Sequence, residues 1–140
     1  MKAFELASLA IEARENSYSP YSNFMVGAAL LGKSGKVYLG CNVENVAYGE
    51  TMCAERTALF KAVSQGEREF LAIAIVGGKN GETSFSYCYP CGACRQALSE
   101  FVGKDFMFIF SKERHPKSDD EVMIASFEEI LPFSFEKTML

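Results

Sequence analysis

The chain has 140 residues, the size of one domain, and it is 49% hydrophobic and 23% charged, an ordinary globular balance. Its 14 basic and 18 acidic side chains give a net charge of −4, with no dense Lys/Arg cluster, which argues against DNA or RNA as a resident partner. Glu5 and Glu12 break the N-terminal apolar residues, so that stretch does not read as a signal peptide, and no apolar run approaches the roughly 18 residues of a membrane span. The expectation is a single domain over residues 1–140, cytoplasmic, bound to neither a membrane nor a nucleic-acid polymer.

In chain order, Phe4, Leu6, Ala7, Leu9, Ala10 and Ile11 predict an amphipathic helix over roughly the first 15 residues. Tyr18–Asn23 reads as a loop, because Pro20 disfavours helix at and before itself. Met25–Leu31 is strand-like, Gly32–Gly35 is a turn, and Val37–Val43 returns as a second strand. Cys53–Val63 is helical by propensity, with a stop near Gly66. Phe70–Val76 has the apolar, β-branched run of a buried strand, and Asn80-Gly81 breaks the chain. A short helix follows over about Cys91–Phe101, then an apolar strand at Phe106–Phe110. Lys112–Glu121 is polar and turn-like. Ser126 opens a last short helix with Glu129 three residues on, a capping box, and Pro132 ends it. The order α-β-β-α-β-α-β, with a C-terminal strand or helix, favours an α/β fold: a three-layer α/β/α sandwich with one mixed sheet of about five strands.

Five cysteines are present: Cys41, Cys53, Cys88, Cys91 and Cys94. The odd count, and the crowding of the last three, point to metal or redox chemistry rather than structural disulfides. Cys53 and Cys91 fall at helix starts, where the positive end of the helix dipole favours a thiolate. Cys91 and Cys94 share a helical face. If Cys53 joins them, zinc has three protein ligands and keeps a fourth position for water, the catalytic arrangement. Zinc lowers the pKa of bound water from about 15.7 to about 7, and Glu55 is placed to shuttle its proton without being a ligand.

These residues resemble the small homotetrameric zinc-dependent cytidine deaminases. The resemblance rests on Ser19-Pro-Tyr-Ser-Asn-Phe24, Val26-Gly-Ala-Ala29, Asn42-Val-Glu-Asn45, Cys53-Ala-Glu-Arg-Thr-Ala58, Pro90-Cys-Gly-Ala-Cys-Arg-Gln96 and Leu131-Pro132. It implies hydrolysis of cytidine and deoxycytidine to uridine and deoxyuridine plus ammonia, in pyrimidine salvage. Zn²⁺, one per chain, would be held by Cys53, Cys91 and Cys94, and Glu55 would be the proton shuttle. It further implies that the Ala54 N–H holds the ring carbonyl and that Asn42 and Glu44 hydrogen-bond the ribose 3′-hydroxyl. Phe24 would pack on the pyrimidine. Ala47, Tyr48 and Phe135 would reach the site of a neighbouring subunit in a homotetramer with shared active sites, although Phe133 competes with Phe135. Three thiolates leave the zinc site with a net charge of about −1, and Arg56 is placed to withdraw some of it by donating to sulfur.

The sequence departs from that pattern at Cys88 and Tyr89, where an apolar residue and a serine are usual, and in the long charged stretch Lys112–Glu121. Other readings compete. Cys91-Gly-Ala-Cys94 alone could be a redox pair, though that leaves Cys53-Ala-Glu55 without a role. A ferredoxin-type run would need a cysteine where Leu98 stands. Cys88 could close a four-sulfur structural site in a non-enzymatic interaction module. Cys41 reads as a packed strand residue and His115 as a solvated one. Asn42, Glu44, Phe24 and Tyr48, without the resemblance, read as turn, core or packing residues. Among enzymes, the rival is a deaminase of another aminopyrimidine, such as blasticidin S.

Overall fold

The computed structural model describes residues 1–140. It contains helix α1 (Ala3–Arg14), strands β1 (Phe24–Gly32) and β2 (Val37–Cys41), helix α2 (Ala54–Ser64), strand β3 (Phe70–Lys79), helix α3 (Gly92–Ser99), strand β4 (Met107–Ser111), strand β5 (Val122–Ser126) and the short helix α4 (Phe127–Ile130). The sheet order is β2-β1-β3-β4-β5. Only β3 and β4 pair in parallel, and the other neighbours are antiparallel, so the sheet is mixed. This is the expected three-layer arrangement. The C-terminal region, read as a strand or a helix, supplies both: an edge strand followed by one capped turn, with the Ser126–Glu129 capping box formed.

The pleat sorts the core by side-chain size. On one face Leu30, Ile73, Ile75, Phe108 and Phe110 pack against α2 and α3. On the other, Ala29, Ala72, Ala74, Val76 and Ile109 pack against α1. Alternation by two along each strand produces both sets, and each fully buried Ile or Phe contributes about 1.5–3 kcal/mol. The small residues on the α1 face let that helix lie close to the sheet. A Cβ at Gly27 would come 2.0 Å from the Ala10 carbonyl oxygen. On the opposite face, a Cβ at Gly40 would stand 2.5 Å from both the Ala54 oxygen and the Ala58 nitrogen, so Gly40 sets how closely α2 approaches β2.

Two connections position the functional end. The buried Arg14 donates Nε to the Met25 carbonyl at 3.1 Å and Nη2 to the Gly78 carbonyl at 2.8 Å, tying the end of α1 to the start of β1 and the end of β3. Asn23 takes a left-handed conformation (φ 60°), which asparagine tolerates better than most residues, and so turns the chain into β1 just before Phe24.

Candidate metal centre and active site

Topology brings the two helix starts together. Strands β2 and β3 both run antiparallel to β1, so they point the same way. Helix α2 follows β2, and α3 follows β3 as the crossover to the parallel β4. Both helices therefore start at the same edge of the sheet, outside the carboxyl ends of the strands, where α/β folds place their ligands.

Cys53 is the N-cap of α2 and Cys91 the N-cap of α3, each with an extended backbone (φ −74°, ψ 153° and φ −68°, ψ 165°). Neither thiol caps its helix by a hydrogen bond. The extended cap takes Cys53 out of helical phase, so Glu55, two residues on, does not have to point away from it. Cys94 lies one turn into α3 on the Cys91 side. The Cys53 and Cys91 sulfurs are 3.9 Å apart and those of Cys91 and Cys94 3.5 Å, and all three lie within 4.8 Å of one another. Zinc–sulfur bonds of about 2.3 Å in a tetrahedron place sulfurs about 3.8 Å apart. The donor set therefore fits a zinc site with three protein ligands. Cys94 is buried, Cys53 half-buried and Cys91 exposed, so the set opens to one side.

The surroundings shape the chemistry. Glu55 is 4% exposed, and desolvation pushes its carboxyl up to about 7. A hydrogen bond from Cys94 is the largest cause lowering Cys53 to about 5, and Arg56 adds to it. Cys94 is pushed the other way by the same hydrogen bond and by burial. Arg56 brings Nη2 to 3.5 Å from the Cys53 sulfur, and its buried Nε has no acceptor. Cys88 lies outside the three-sulfur group, and burial pushes its thiol up to about 12. Its sulfur and the Phe24 ring both crowd Gly77: they lie 2.8 and 3.0 Å from where a Cβ would be. The charges of Glu55 and Cys53 also act on Cys88. Phe24 thus belongs to the neighbourhood of Glu55 through Cys88.

The other expected site residues divide. Asn42 is buried, and its side chain joins the strand ends: Oδ1 accepts from the Val26 N–H at 2.9 Å and from the Ser17 hydroxyl, and Nδ2 donates to the Phe24 carbonyl at 2.8 Å. One amide hydrogen remains for a ligand. Glu44 accepts from the Tyr21 and Ser22 N–H groups at 3.0 and 3.1 Å and from the Ser22 hydroxyl, which holds its carboxyl below the ordinary value. Both residues therefore build the loop that precedes Phe24. The Ala54 side chain is fully buried, and its N–H, at the first helical position, has no acceptor within the helix. Ala47 and Tyr48 are exposed, and Tyr48 stands edge-on to Tyr21 at 5.9 Å. Phe133 and Phe135 are both exposed on the C-terminal segment, with the Phe135 carbonyl held by Gln96 Nε2 at 3.1 Å. His115 is exposed and Cys41 half-buried, each apart from the cysteine group.

A concavity of about 1030 Å³ lies elsewhere, between the end of α3 and the C-terminal segment, lined by residues such as Phe101, Leu131 and Phe135. Neither the three cysteines nor Glu55 line it. The three thiols and the buried Glu55 carboxyl converge instead at the two helix starts. Two residues carried no role in the sequence reading yet touch the site's frame. Ser22 fixes Glu44, and Arg95 bonds the backbone next to Cys91. Both lie inside the motifs quoted above, but their roles depend on partners distant in sequence, Glu44 for Ser22 and Ile130 for Arg95, which no local pattern names.

Residues 2–110 match the family model described as the cytidine and deoxycytidylate deaminase zinc-binding region. The chain is 58% identical over 90 residues to a cytidine deaminase of Sporosarcina psychrophila, covering 64% of this chain and 62% of that one. It is 54% identical over 96 residues to a cytidine deaminase of Halalkalibacterium halodurans, covering 69% of each. The first of these matches spans just under two thirds of the relative's length. A crystal structure of cytidine deaminase from Burkholderia pseudomallei superimposes with a TM-score of 0.80 at 43% identity, covering 96% of this chain and all of that one.

Proposed function

The chain belongs to the cytidine deaminase family, and we propose that its residues 1–140 form one deaminase domain that hydrolyses cytidine and deoxycytidine to the uridine nucleosides and ammonia. The observation that carries this reading is the meeting of three thiols at tetrahedral-edge spacing with the buried carboxyl of Glu55.

Cys53, Cys91 and Cys94 would hold one zinc ion per chain, which when bound supplies the Lewis acidity that makes water nucleophilic near neutral pH. The remaining work falls to the chain. The Glu55 carboxylate takes one proton from the attacking water and delivers it to ring N3, then takes the second from the oxygen added at C4 and passes it to the amine leaving that carbon. One water adds, one ammonia departs, and the carboxylate ends as it began. Burial suits Glu55 to both halves of the cycle, since a group whose pKa lies near the working pH can accept and donate. The Ala54 N–H donates to the ring carbonyl at C2. Arg56 withdraws charge from the Cys53 sulfur, offsetting the excess of three thiolates over a divalent ion. Phe24 packs on the pyrimidine. Asn42, with its remaining amide hydrogen, and Glu44 hold the ribose 3′-hydroxyl on the loop they build.

The same reading makes the protein a cytoplasmic homotetramer in pyrimidine salvage, with active sites shared between subunits. Supporting it, Val46 and Tyr48 are exposed beside the substrate loop, and Phe133 and Phe135 are exposed on the C-terminal segment. Such apolar rims favour a second copy of the chain. No helix is long and apolar enough to cross a membrane.

Incubation of the purified protein with cytidine, quantifying uridine and ammonia, tests the reaction. Equal yields of both, lost on chelation and restored by zinc, support it. No turnover in protein carrying one zinc per chain turns the search to other aminopyrimidines.

A further inference from the structure

The three sulfurs are not held equally. Cys94 is buried in α3 and Cys53 half-buried at the start of α2, but Cys91 is exposed at the N-cap of an eight-residue helix with no side-chain cap. What fixes it is the next turn of the same helix. Arg95 Nε donates to the Pro90 carbonyl at 2.7 Å, one residue before Cys91, and Arg95 Nη1 donates to the Ile130 carbonyl at 2.5 Å. Pro90 is fully buried, and Ile130 is anchored in the core at the end of α4. The guanidinium is half-buried, and no carboxylate lies within ion-pairing distance of it. Its two partners are backbone carbonyls from segments 40 residues apart in sequence. A planar, rigid fork suits that task, because its N–H directions are set relative to one another. Gln96 extends the bracket by bonding the Phe135 carbonyl.

We infer that Arg95 is a positioning residue for the metal centre: its fork registers the Pro90–Cys91 backbone against the core-anchored end of α4 and so holds the most exposed thiolate in place for the metal. The inference rests on zinc binding by Cys53, Cys91 and Cys94. Arg95 touches neither substrate nor sulfur in this role; it acts through the backbone that carries Cys91. Its removal should leave the fold standing and loosen one ligand of three. Lysine should not substitute, since its three donors share one nitrogen, whereas the two carbonyls are met by separate nitrogens, Nε and Nη1, held apart in one plane.

The test uses Arg95→Leu and Arg95→Lys in the full-length protein, with Arg68→Leu as the comparison. Arg68 also donates to backbone carbonyls, those of Val63 and Glu67, at the end of α2 remote from Cys53. Each protein is loaded with cobalt(II) for its sulfur-to-metal charge-transfer band, and with zinc for the rate of release to a chelator. Thermal unfolding of the metal-free chains reports the fold. The expected result is a weakened or shifted cobalt band and zinc release faster by about 10-fold or more in both Arg95 variants, with Arg68→Leu unchanged. A band and release rate within about twofold of the parent, in a folded Arg95 variant, would overturn the inference. So would equal effects from Arg68→Leu, or loss of the metal-free fold in both Arg95 variants, since Arg95 would then serve the fold rather than the metal. A parent protein with no cobalt–thiolate band would instead remove the metal-centre reading beneath it.

Discussion

The Arg56 guanidinium reaches the Cys53 sulfur from one turn further along α2, with Nη2 to Sγ at 3.5 Å, while its Nε stays buried without an acceptor. The Cys53 hydrogen bond is the largest cause raising the arginine's pKa, and Arg56 in turn helps lower the Cys53 thiol. The pair therefore stabilises the thiolate that a metal needs. Arg56→Gln should keep the fold but reduce zinc affinity by about 10–100-fold, with a parallel fall in kcat. Competition against a chromogenic chelator measures the first and steady-state kinetics the second. Unchanged values for both would leave Arg56 as a packing residue.

Glu55→Gln should keep one zinc per chain and lower kcat by at least about 10²–10⁴-fold, with a smaller change in KM. The amide occupies the same buried space but cannot carry the proton. Metal analysis beside kinetics separates the two effects. Loss of zinc in this variant would mean that Glu55 supports the metal rather than the proton transfer.

Cys88→Ser should retain one zinc per chain. Burial pushes the Cys88 thiol up to about 12, so it stays protonated at neutral pH, and its sulfur lies outside the three-sulfur group. Elemental analysis after dialysis decides the matter. Loss of zinc would favour a closed four-sulfur structural site.

Glu44→Gln should raise KM for cytidine, and the variant should lose little more when the nucleoside lacks its 3′-hydroxyl. A double comparison of enzyme and substrate isolates that coupling. The carboxylate also has a pH signature. Its folded pKa is depressed, chiefly by the Ser22 hydroxyl. The tether it provides is therefore complete at neutral pH and is lost as pH falls through the folded value, below the ordinary carboxylate range. The protection of the Tyr21 and Ser22 amides, taken relative to their intrinsic exchange rates at each pH, should fall in acid in the parent and be already low in the variant.

Gly40→Ala should destabilise the protein by about 1–3 kcal/mol, read from denaturant unfolding. The added methyl meets backbone atoms of Ala54 and Ala58 at 2.5 Å, and backbone cannot swing aside as a flexible side chain can. The displaced segment carries Ala54 and Glu55, so kcat should fall in the fraction that folds. A neutral effect on both would show that α2 can shift without disturbing the site.

Most elements were legible because they obey local rules. Helix α1 follows its apolar spacing, α2 its propensity, and β3 its β-branched run. Gly66 is left-handed just past α2, as its position at a helix end requires (φ 97°). The capping box at Ser126 formed as read. The sequence leaves the C-terminal region open as strand or helix, because the burial of the edge strand β5 comes from one neighbour, β4, rather than from its own periodicity. The resemblance implies a ribose role for Asn42 and Glu44, but their places in the loop before Phe24 come from partners, Ser17, Ser22 and Val26, that no local pattern names.

The sequence alone determined the ligand inventory: thiols at two helix starts, a carboxyl two residues after the first, and an arginine beside it. These are local facts, because capping and helical phase act within a turn. That Cys53 and Cys91, 38 residues apart, stand 3.9 Å from each other, and that Arg95 joins Pro90 to Ile130, follows from the fold as a whole. The reason is directional. Strands β2 and β3 run the same way on either side of β1, so the helices that follow them start at one edge of the sheet. Strand pairing is a contest among long-range contacts, and its outcome is settled by packing the whole core.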